Sequence, residues 1–278
     1  MSLPFIKLEG FGNNYIFVEA RNVKKTSLKK LAAAISDVKK GIGSDGLIVV
    51  DASKEPYAMR IFNKDGSEAE MCGNGLRQAA FYMKKTKFPR RKQFIFETVA
   101  GEFPASIKSS VNNRARIETS LGSPEFSAIK IGVTCDTDTA FDIPLIKYEM
   151  RNITMDCVSL GNPHAVIFVV SYDFNWTGLG RDVSSHKMFA KGANVNFVKV
   201  MNSRRFEVRT FERGSGATAA CGSGAAASLA AGVMRNIFKK EAVAVMQGGN
   251  LELTWDMSVN IIKQTGPASI VCHGDYNG

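Results

Sequence analysis

The sequence predicts an α/β (α+β) protein built from two similar domains. The chain has 278 residues, which is enough for two domains with a core each. Short apolar strands alternate with helices in both halves. Most informatively, the segment MRIFNKDGSEAEMCGNG at residues 59–75 aligns without a gap on VRTFERGSGATAACGSG at residues 208–224, which begins 149 residues later.

The same offset recurs upstream, where Gly12-Asn13 falls on Gly161-Asn162 and Gly43 falls on Gly192. Three ungapped blocks at one offset indicate an internal duplication. The turn-rich stretch around Leu121-Gly122-Ser123-Pro124 is the predicted boundary. We therefore expect an N-terminal domain of residues 1–120, completed by a returning tail of residues 268–278, and a C-terminal domain of residues 121–267.

Periodicity and turn residues predict the elements of the first half in order. The predicted helices are Ser27–Ser36, capped by Thr26 or Ser27, and Leu76–Lys85, directly after Cys-Gly-Asn-Gly. The predicted strands are Phe5–Leu8, Tyr15–Glu19, Leu47–Val50, Tyr57–Phe62, Phe94–Thr98 and Phe103–Lys108, the last two forming a hairpin around Ala100-Gly101.

The second half repeats this order. Its predicted helix is Ala225–Phe238, which is rich in small residues and ends at Lys239-Lys240. The predicted strands are Ala165–Val170, Val195–Val200, Phe206–Phe211, Ala242–Met246, Leu251–Thr254 and Val259–Ile262.

Composition and charge narrow the classes of function. Apolar residues make up 45% of the chain and charged residues 22%, as in ordinary globular proteins. The N-terminus has no signal-peptide core, and the longest run of low polarity, Gly224–Met234, is too short for a membrane span, so we expect a cytoplasmic protein with no membrane partner. The net charge of +10 is scattered in short pairs without a nucleic-acid motif, so we expect no nucleic-acid partner.

The five cysteines form no CxxC pair, and without a secretory signal they predict free thiols. Three histidines leave few candidates for a zinc site, so we predict no metal. We interpret Cys135, Cys157 and Cys272 as structural residues.

The repeated Cys-Gly-x-Gly turn indicates a different role for Cys72 and Cys221. A cysteine at the first turn of a helix faces free N–H groups and the positive end of the helix dipole, which lowers a thiol pKa. The following glycines let backbone N–H groups approach an anion. Two such sites facing one another across a cleft would suit a two-base racemase, in which a thiolate removes an α-proton and a thiol returns one to the opposite face.

An ensemble of motifs between Gly10 and Ala268 resembles the diaminopimelate epimerase family. The motifs are Phe62-Asn63-Lys64-Asp65-Gly66-Ser67, Met71-Cys72-Gly73-Asn74-Gly75, Gly161-Asn162-Pro163-His164, Glu212-Arg213-Gly214-Ser215-Gly216, Ala220-Cys221-Gly222-Ser223-Gly224 and Thr265-Gly266-Pro267-Ala268.

The resemblance implies a cofactor-independent epimerase, without pyridoxal phosphate, that interconverts LL- and meso-2,6-diaminopimelate in lysine biosynthesis. It also implies a homodimer, and in each domain a curved, mostly antiparallel sheet around a central helix. Cys72 and Cys221 become the acid–base pair, assisted by His164 and Glu212. The implied substrate contacts are Asn13, Asn63, Gly73, Asn74, Asn162, Asn194, Glu212, Arg213, Gly222 and Ser223, with Arg213 suited to a distal carboxylate.

The sequence departs from the family pattern at a few positions. Gly46 stands where many relatives have Gln, Ala217 replaces a usual Glu, and Tyr15 replaces a frequent Phe. Three alternatives stay open: a proline or histidine racemase of similar fold, a nucleic-acid-binding module, and a redox protein that forms a Cys72–Cys221 disulfide.

Overall fold

A computed structural model describes residues 2–24, 26–148 and 151–278, and their side chains apart from those of residues 145–148 and 151–152. The chain divides into two units. Unit 1 is Met1–Ser120 together with Thr265–Gly278, and unit 2 is Leu121–Gln264. The second boundary predicted from the sequence is residue 267.

Unit 1 contains helices α1 (Leu28–Ser36) and α2 (Gly73–Thr86). Its strands are β1 (Leu3–Gly10), β2 (Asn13–Glu19), β3 (Gly46–Asp51), β4 (Tyr57–Asn63), β5 (Glu68–Ala69), β6 (Gln93–Thr98), β7 (Gly101–Val111) and β8 (Arg114–Gly122).

Unit 2 contains helices α3 (Ala128–Ile131), α4 (Trp176–Ser184) and α5 (Gly222–Met234). Its strands are β9 (Ile143–Tyr148), β10 (Arg151–Ser159), β11 (Pro163–Val169), β12 (Asn194–Asn202), β13 (Arg205–Glu212), β14 (Gly216–Thr218), β15 (Glu241–Met246) and β16 (Gly249–Asp256). The last strand, β17 (Ile261–Tyr276), continues into unit 1.

The sheet of unit 1 closes around α2. Its strands pair in the order β17, β1, β2, β3, β4, β6, β7 and β8, and β8 pairs with β17 again. The β2–β3 and β4–β6 pairs are parallel. The antiparallel pairs are β17–β1, β1–β2, β3–β4, β6–β7 and β7–β8. The buried face of α2, including Leu76, Ala80 and Phe81, packs into the core inside this sheet. The predicted curved, mostly antiparallel sheet around a central helix is confirmed here.

Unit 2 repeats this pattern. Its parallel pairs are β11–β12 and β13–β15, while β9–β10, β10–β11, β12–β13 and β15–β16 are antiparallel. Helix α5 packs against β10, β11, β12 and β16. Adding 149 to the bounds of α2 gives 222–235, and α5 is Gly222–Met234. The offset found in three sequence blocks is therefore the offset of the two central helices.

Both central helices begin three residues earlier than predicted, at Gly73 and Gly222 instead of Leu76 and Ala225. Glycine disfavours helix, so the sequence pattern placed the start after the glycines. Helix α5 also ends earlier than the predicted Phe238, because Asn236 takes a left-handed φ of 59° and the chain turns there. Strand β17 begins at Ile261, not at the predicted Val259, and runs on to Tyr276.

Candidate active site

The first candidate site surrounds Cys72, which is the N-cap residue of α2. Its sulfur accepts the N–H of Gly75 at 3.4 Å, and the Tyr15 hydroxyl donates to it at 3.7 Å. The thiol in turn lies 3.7 Å from Asn13 Oδ1. Because these contacts come from the start of α2 and from β2, the local fold fixes the direction of the sulfur.

Asn13 is the centre of this network. Its Nδ2 donates to Asp45 Oδ2 at 3.0 Å, so its Oδ1 is turned toward Cys72. Asn74 Nδ2 also approaches Asn13 Oδ1, at 3.4 Å, and Gln78 Nε2 donates to the Asn13 carbonyl at 3.0 Å. The structure thus brings the predicted residues Asn13, Cys72 and Asn74 together.

Tyr15 also belongs to this site, although no sequence motif marks it as a site residue. Burial first, and the neighbouring Cys72 charge second, raise the pKa of Tyr15 far above its ordinary value, so the phenol keeps its proton and remains a donor. The duplication offers a signal that could have found it, because the offset of 149 puts Tyr15 on His164.

Asn63 lies at the end of β4, where its Nδ2 donates to Ser67 Oγ at 2.9 Å. None of its described hydrogen bonds joins it to Cys72. Gly46, opposite Asn63 in the β3–β4 register, has no room for a side chain, because an added Cβ would meet the Phe62 carbonyl and lie 3.0 Å from the Tyr15 ring. A glutamine, the residue that the family resemblance leads us to expect at position 46, therefore does not fit there without movement of the backbone.

The second candidate site surrounds Cys221, the N-cap residue of α5, with its sulfur 3.6 Å from Ser223 Oγ. Burial, followed by the charge of Glu212, raises the pKa of Cys221 to about 12. The expectation of a lowered thiol pKa is therefore wrong for Cys221. Desolvation and a nearby carboxylate both penalise the thiolate, and they outweigh the hydrogen bonds at the helix start.

The polar residues of unit 2 are held in fixed directions. Glu212 Oε1 accepts the Thr218 hydroxyl at 2.6 Å, and Asn194 Oδ1 accepts the Arg213 N–H at 2.9 Å. The exposed Arg213 guanidinium donates to the Lys191 carbonyl. Gly224 requires a glycine, since an added Cβ would collide with Asn196 Oδ1.

His164 is fully buried in unit 2 and contacts two asparagines. Asn196 Oδ1 accepts the Thr210 hydroxyl at 3.1 Å, so its Nδ2 faces His164 Nδ1 at 3.2 Å. Nδ1 is then the acceptor, and Nε2 carries the proton and donates to Asn162 Oδ1 at 3.1 Å. Burial lowers the pKa of His164 to about 3, so the ring is neutral and orients Asn162.

Backbone N–H groups at both helix starts lie ahead of the first intrahelical hydrogen bond, which is Leu76 N–H to the Cys72 carbonyl in α2 and Ala225 N–H to the Cys221 carbonyl in α5. Gly73 and Asn74, like Gly222 and Ser223, therefore present donors at the positive end of a helix dipole. Such donors suit a carboxylate. Within the described residues there is no group of three or more His, Cys, Asp or Glu side chains placed to hold a metal ion.

Solved structures of proteins with different names share this fold. A phenazine biosynthesis protein of the PhzF family from Bacillus anthracis matches with a TM-score of 0.70 at 16% identity, covering 100% of both chains. A hydroxyproline epimerase from Agrobacterium vitis matches with a TM-score of 0.65 at 13% identity, covering 99% of this chain and 91% of its own. At these identities the likeness concerns the fold alone.

The sequence comparisons are more specific. The model of the diaminopimelate epimerase family matches residues 5–127 and 157–271. Diaminopimelate epimerases of Bacillus cereus (strain AH187) and Bacillus mycoides (strain KBAB4) are each 35% identical to the chain, covering 98% of it and 96% of their own lengths. The match to the family and its named relatives define an enzyme of the isomerase class, an epimerase. The chain belongs to the diaminopimelate epimerase family.

The part of the chain described by the structure includes no helix that is both long and apolar enough to cross a membrane.

Proposed function

We propose that this epimerase interconverts LL- and meso-2,6-diaminopimelate, in lysine biosynthesis, with Cys72 and Cys221 as the acid–base pair. The observation that carries the proposal is that each unit has a cysteine as the N-cap residue of its central helix, at positions related by the duplication. The relatives compared above are named diaminopimelate epimerase, and the match to this chain covers 96% of their lengths.

The proposed chemistry needs one thiolate and one thiol. The thiolate takes the α-proton and becomes a thiol, while the other thiol gives its proton to the opposite face of the α-carbon and becomes a thiolate. The pKa of about 12 for Cys221 suits the proton donor of such a pair. The reaction leaves the two sulfurs with exchanged protonation states, so the same pair serves the reverse direction.

The remaining predicted residues would bind the substrate. N–H groups of Gly73, Asn74, Gly222 and Ser223 would stabilise the carboxylate next to the reacting carbon as negative charge develops there. Arg213 would pair with the distal carboxylate, since a guanidinium matches a carboxylate with two parallel hydrogen bonds. We assign substrate contacts also to Asn13, Asn63, Asn162, Asn194 and Glu212, with His164 orienting Asn162.

The decisive experiment incubates the reduced protein with LL-diaminopimelate in deuterated water. We expect meso product and deuterium at the reacting α-carbon, without added pyridoxal phosphate and after dialysis against a chelator. Cys72→Ser and Cys221→Ser should each lose most epimerisation, because a hydroxyl is too weak an acid to replace a thiol. Cys272→Ser, at an exposed position, is the matched control and should keep activity.

Three results would contradict the proposal. Near-normal epimerisation by either site variant would rule out the thiol pair. Racemisation of proline or histidine at rates matching turnover of diaminopimelate would favour an amino-acid racemase of similar fold. Full activity of the protein after oxidation to a Cys72–Cys221 disulfide would exclude both cysteines from the chemistry.

We further propose that the enzyme acts as a homodimer in the cytoplasm. Light scattering of the purified protein tests the dimer directly, and a mass of 30.3 kDa, that of one chain, would exclude it.

A further inference from the structure

Tyr15 reaches from β2 to the sulfur of Cys72. Its hydroxyl donates a hydrogen bond to Cys72 Sγ at 3.7 Å. The same sulfur accepts the Gly75 N–H at 3.4 Å and lies 3.7 Å from Asn13 Oδ1. Gly75 belongs to α2 itself and Asn13 offers an acceptor, so Tyr15 supplies the donor that reaches the sulfur from the sheet.

Packing leaves the Tyr15 ring little freedom. The residue is 5% exposed and belongs to the core of unit 1. It lies beside Gly46 in the parallel β2–β3 pair, and a Cβ added to Gly46 would lie 3.0 Å from the Tyr15 ring. The ring therefore occupies space that a side chain at position 46 would need, and its position directs the hydroxyl at the sulfur.

The Tyr15 hydroxyl also depends on this contact. Burial is the largest cause that raises the pKa of Tyr15 far above its ordinary value, so the hydroxyl keeps its proton at neutral pH. A buried donor that loses its partner is unfavourable by the cost of its desolvation. Cys72 Sγ is the hydrogen-bond acceptor that the structure gives this donor, so the same contact stabilises the positions of both side chains.

The second site uses the equivalent residue differently. The offset of 149 puts His164 at the place of Tyr15. Its Nε2 lies 3.1 Å from Asn162 Oδ1 and its Nδ1 lies 3.2 Å from Asn196 Nδ2. No described hydrogen bond joins His164 to Cys221. Contact between this position and a cysteine is therefore a feature of the first site and not a consequence of the repeated turn.

We propose that Tyr15 is a positioning residue whose hydroxyl holds Cys72 Sγ in the direction from which it meets the α-carbon of the substrate. Without the hydroxyl, the cysteine side chain rotates more freely between staggered positions about its Cα–Cβ bond. Proton transfer needs the reacting atoms aligned and in close contact, so a rotating sulfur slows the chemical step more than it weakens binding. The inference rests on the proposed acid–base role of Cys72.

The kinetic test uses Tyr15→Phe, which removes the hydroxyl and keeps the ring. We expect kcat for epimerisation of LL-diaminopimelate to fall by about tenfold or more, with KM changed by less than about twofold, because the binding groups stay in place. Tyr82→Phe is the matched control, since Tyr82 is also 5% exposed, belongs to the same core and lies about 15 Å farther along α2 than Cys72. It should change neither constant.

A test without substrate measures the contact itself. Tyr15→Phe and Tyr82→Phe are each made in the wild-type protein and in Cys72→Ala, and the urea midpoints of unfolding are compared. In the wild type, Tyr15→Phe removes a hydrogen bond, so the midpoint should fall. In Cys72→Ala the hydroxyl has already lost its acceptor, so the same change should leave the midpoint constant or raise it. Tyr82→Phe should shift the midpoint equally in both backgrounds.

Equal midpoint shifts of Tyr15→Phe in the two backgrounds would show that the hydroxyl does not interact with the sulfur, and would overturn the proposal. Unequal shifts with an unchanged kcat would show a contact that serves stability alone, and a raised KM with an unchanged kcat would show a role in substrate binding. Either result also overturns the positioning role. A wild-type protein without epimerase activity would contradict the proposed function, whereas the two midpoints decide the Tyr15–Cys72 contact in that case too.

Discussion

His164 makes the stability of unit 2 sensitive to acid. Its pKa is about 3 in the folded protein against 6.5 for the ordinary group, with burial as the cause. Between these values the unfolded chain binds a proton that the folded chain does not, so the free energy of unfolding falls as the pH drops below 6.5. Protonation of His164 Nδ1 would also break its hydrogen bond with Asn196, because two N–H donors would then face each other.

We predict that His164→Gln flattens this dependence. The difference in unfolding free energy between wild type and variant should change by about 1.4 kcal/mol per pH unit between pH 4 and 6, with wild type losing stability faster toward acid. Urea unfolding measures it. Between pH 7 and 8 the imidazole is neutral in both states, so the difference should be constant there, and a constant difference over the whole range would show that His164 titrates alike in both states.

The site residues could be predicted from sequence only where a motif marks them. Cys72 and Cys221 stand out because the same turn occurs twice, but their positions as N-cap residues became visible only when the helices proved to start at Gly73 and Gly222. Tyr15 looks like an ordinary strand residue in the sequence, because its contact with Cys72 depends on how β2 packs on α2. The raised pKa of Cys221 was missed for the same reason: desolvation is a property of the packed fold.

At the scale of the element, an ion pair joins the C-terminal end of α5 to β10. Arg235, the C-cap residue of α5, donates to both carboxylate oxygens of Asp156, which is fully buried, and also pairs with Asp142. An arginine that binds a carboxylate with two hydrogen bonds fixes the helix end in rotation as well as in distance.

Arg235→Met should destabilise the protein by about 3–5 kcal/mol, because it leaves the Asp156 charge buried and unpaired. Arg204→Met removes an exposed ion pair with Glu241, at 3.8 Å, and should cost at most about 1 kcal/mol. Chemical denaturation of both variants tests the contrast. The double variant Arg235→Met with Asp156→Leu should recover much of the loss, and a loss that persists in full would point to the packing of the arginine on Phe168 instead.

Most of the helices and strands could be predicted from the sequence. Apolar residues alternate along the strands, small and apolar residues fill the central helices, and the duplication repeats both patterns. The ends of these elements could not be predicted. Both α2 and α5 start at a glycine, a residue that disfavours helix, and the Cys72 sulfur caps the start of α2 by accepting the Gly75 N–H. The end of α5 depends on the left-handed Asn236.

At the scale of the whole molecule, unit 1 needs both ends of the chain. Strand β17 pairs with β1 from Leu3 to Glu9 and also with β8, which closes the sheet around α2. A chain that ends at Gln264 would leave β1 and β8 with unpaired edges and an open core, a state prone to aggregation.

We predict that truncation after Gln264 abolishes recovery of soluble, folded protein, whereas truncation after Tyr276, which removes only residues beyond β17, leaves stability unchanged. Circular dichroism and the unfolding midpoint of the two purified proteins are the measurements. A cooperative unfolding transition of native amplitude in the shorter chain would show that the sheet of unit 1 does not depend on β17.

The return of β17 also determines the order in which the protein can be completed on the ribosome. Unit 2 is continuous in sequence and is whole once Gln264 has emerged, but unit 1 waits for Thr265–Gly278 although most of it is made first. At about 5–20 residues per second, the nascent N-terminal half waits roughly 7–30 seconds with an unpaired β1 edge. The usual N-to-C order of domain completion is therefore inverted, because the segment that completes unit 1 is made after all of unit 2.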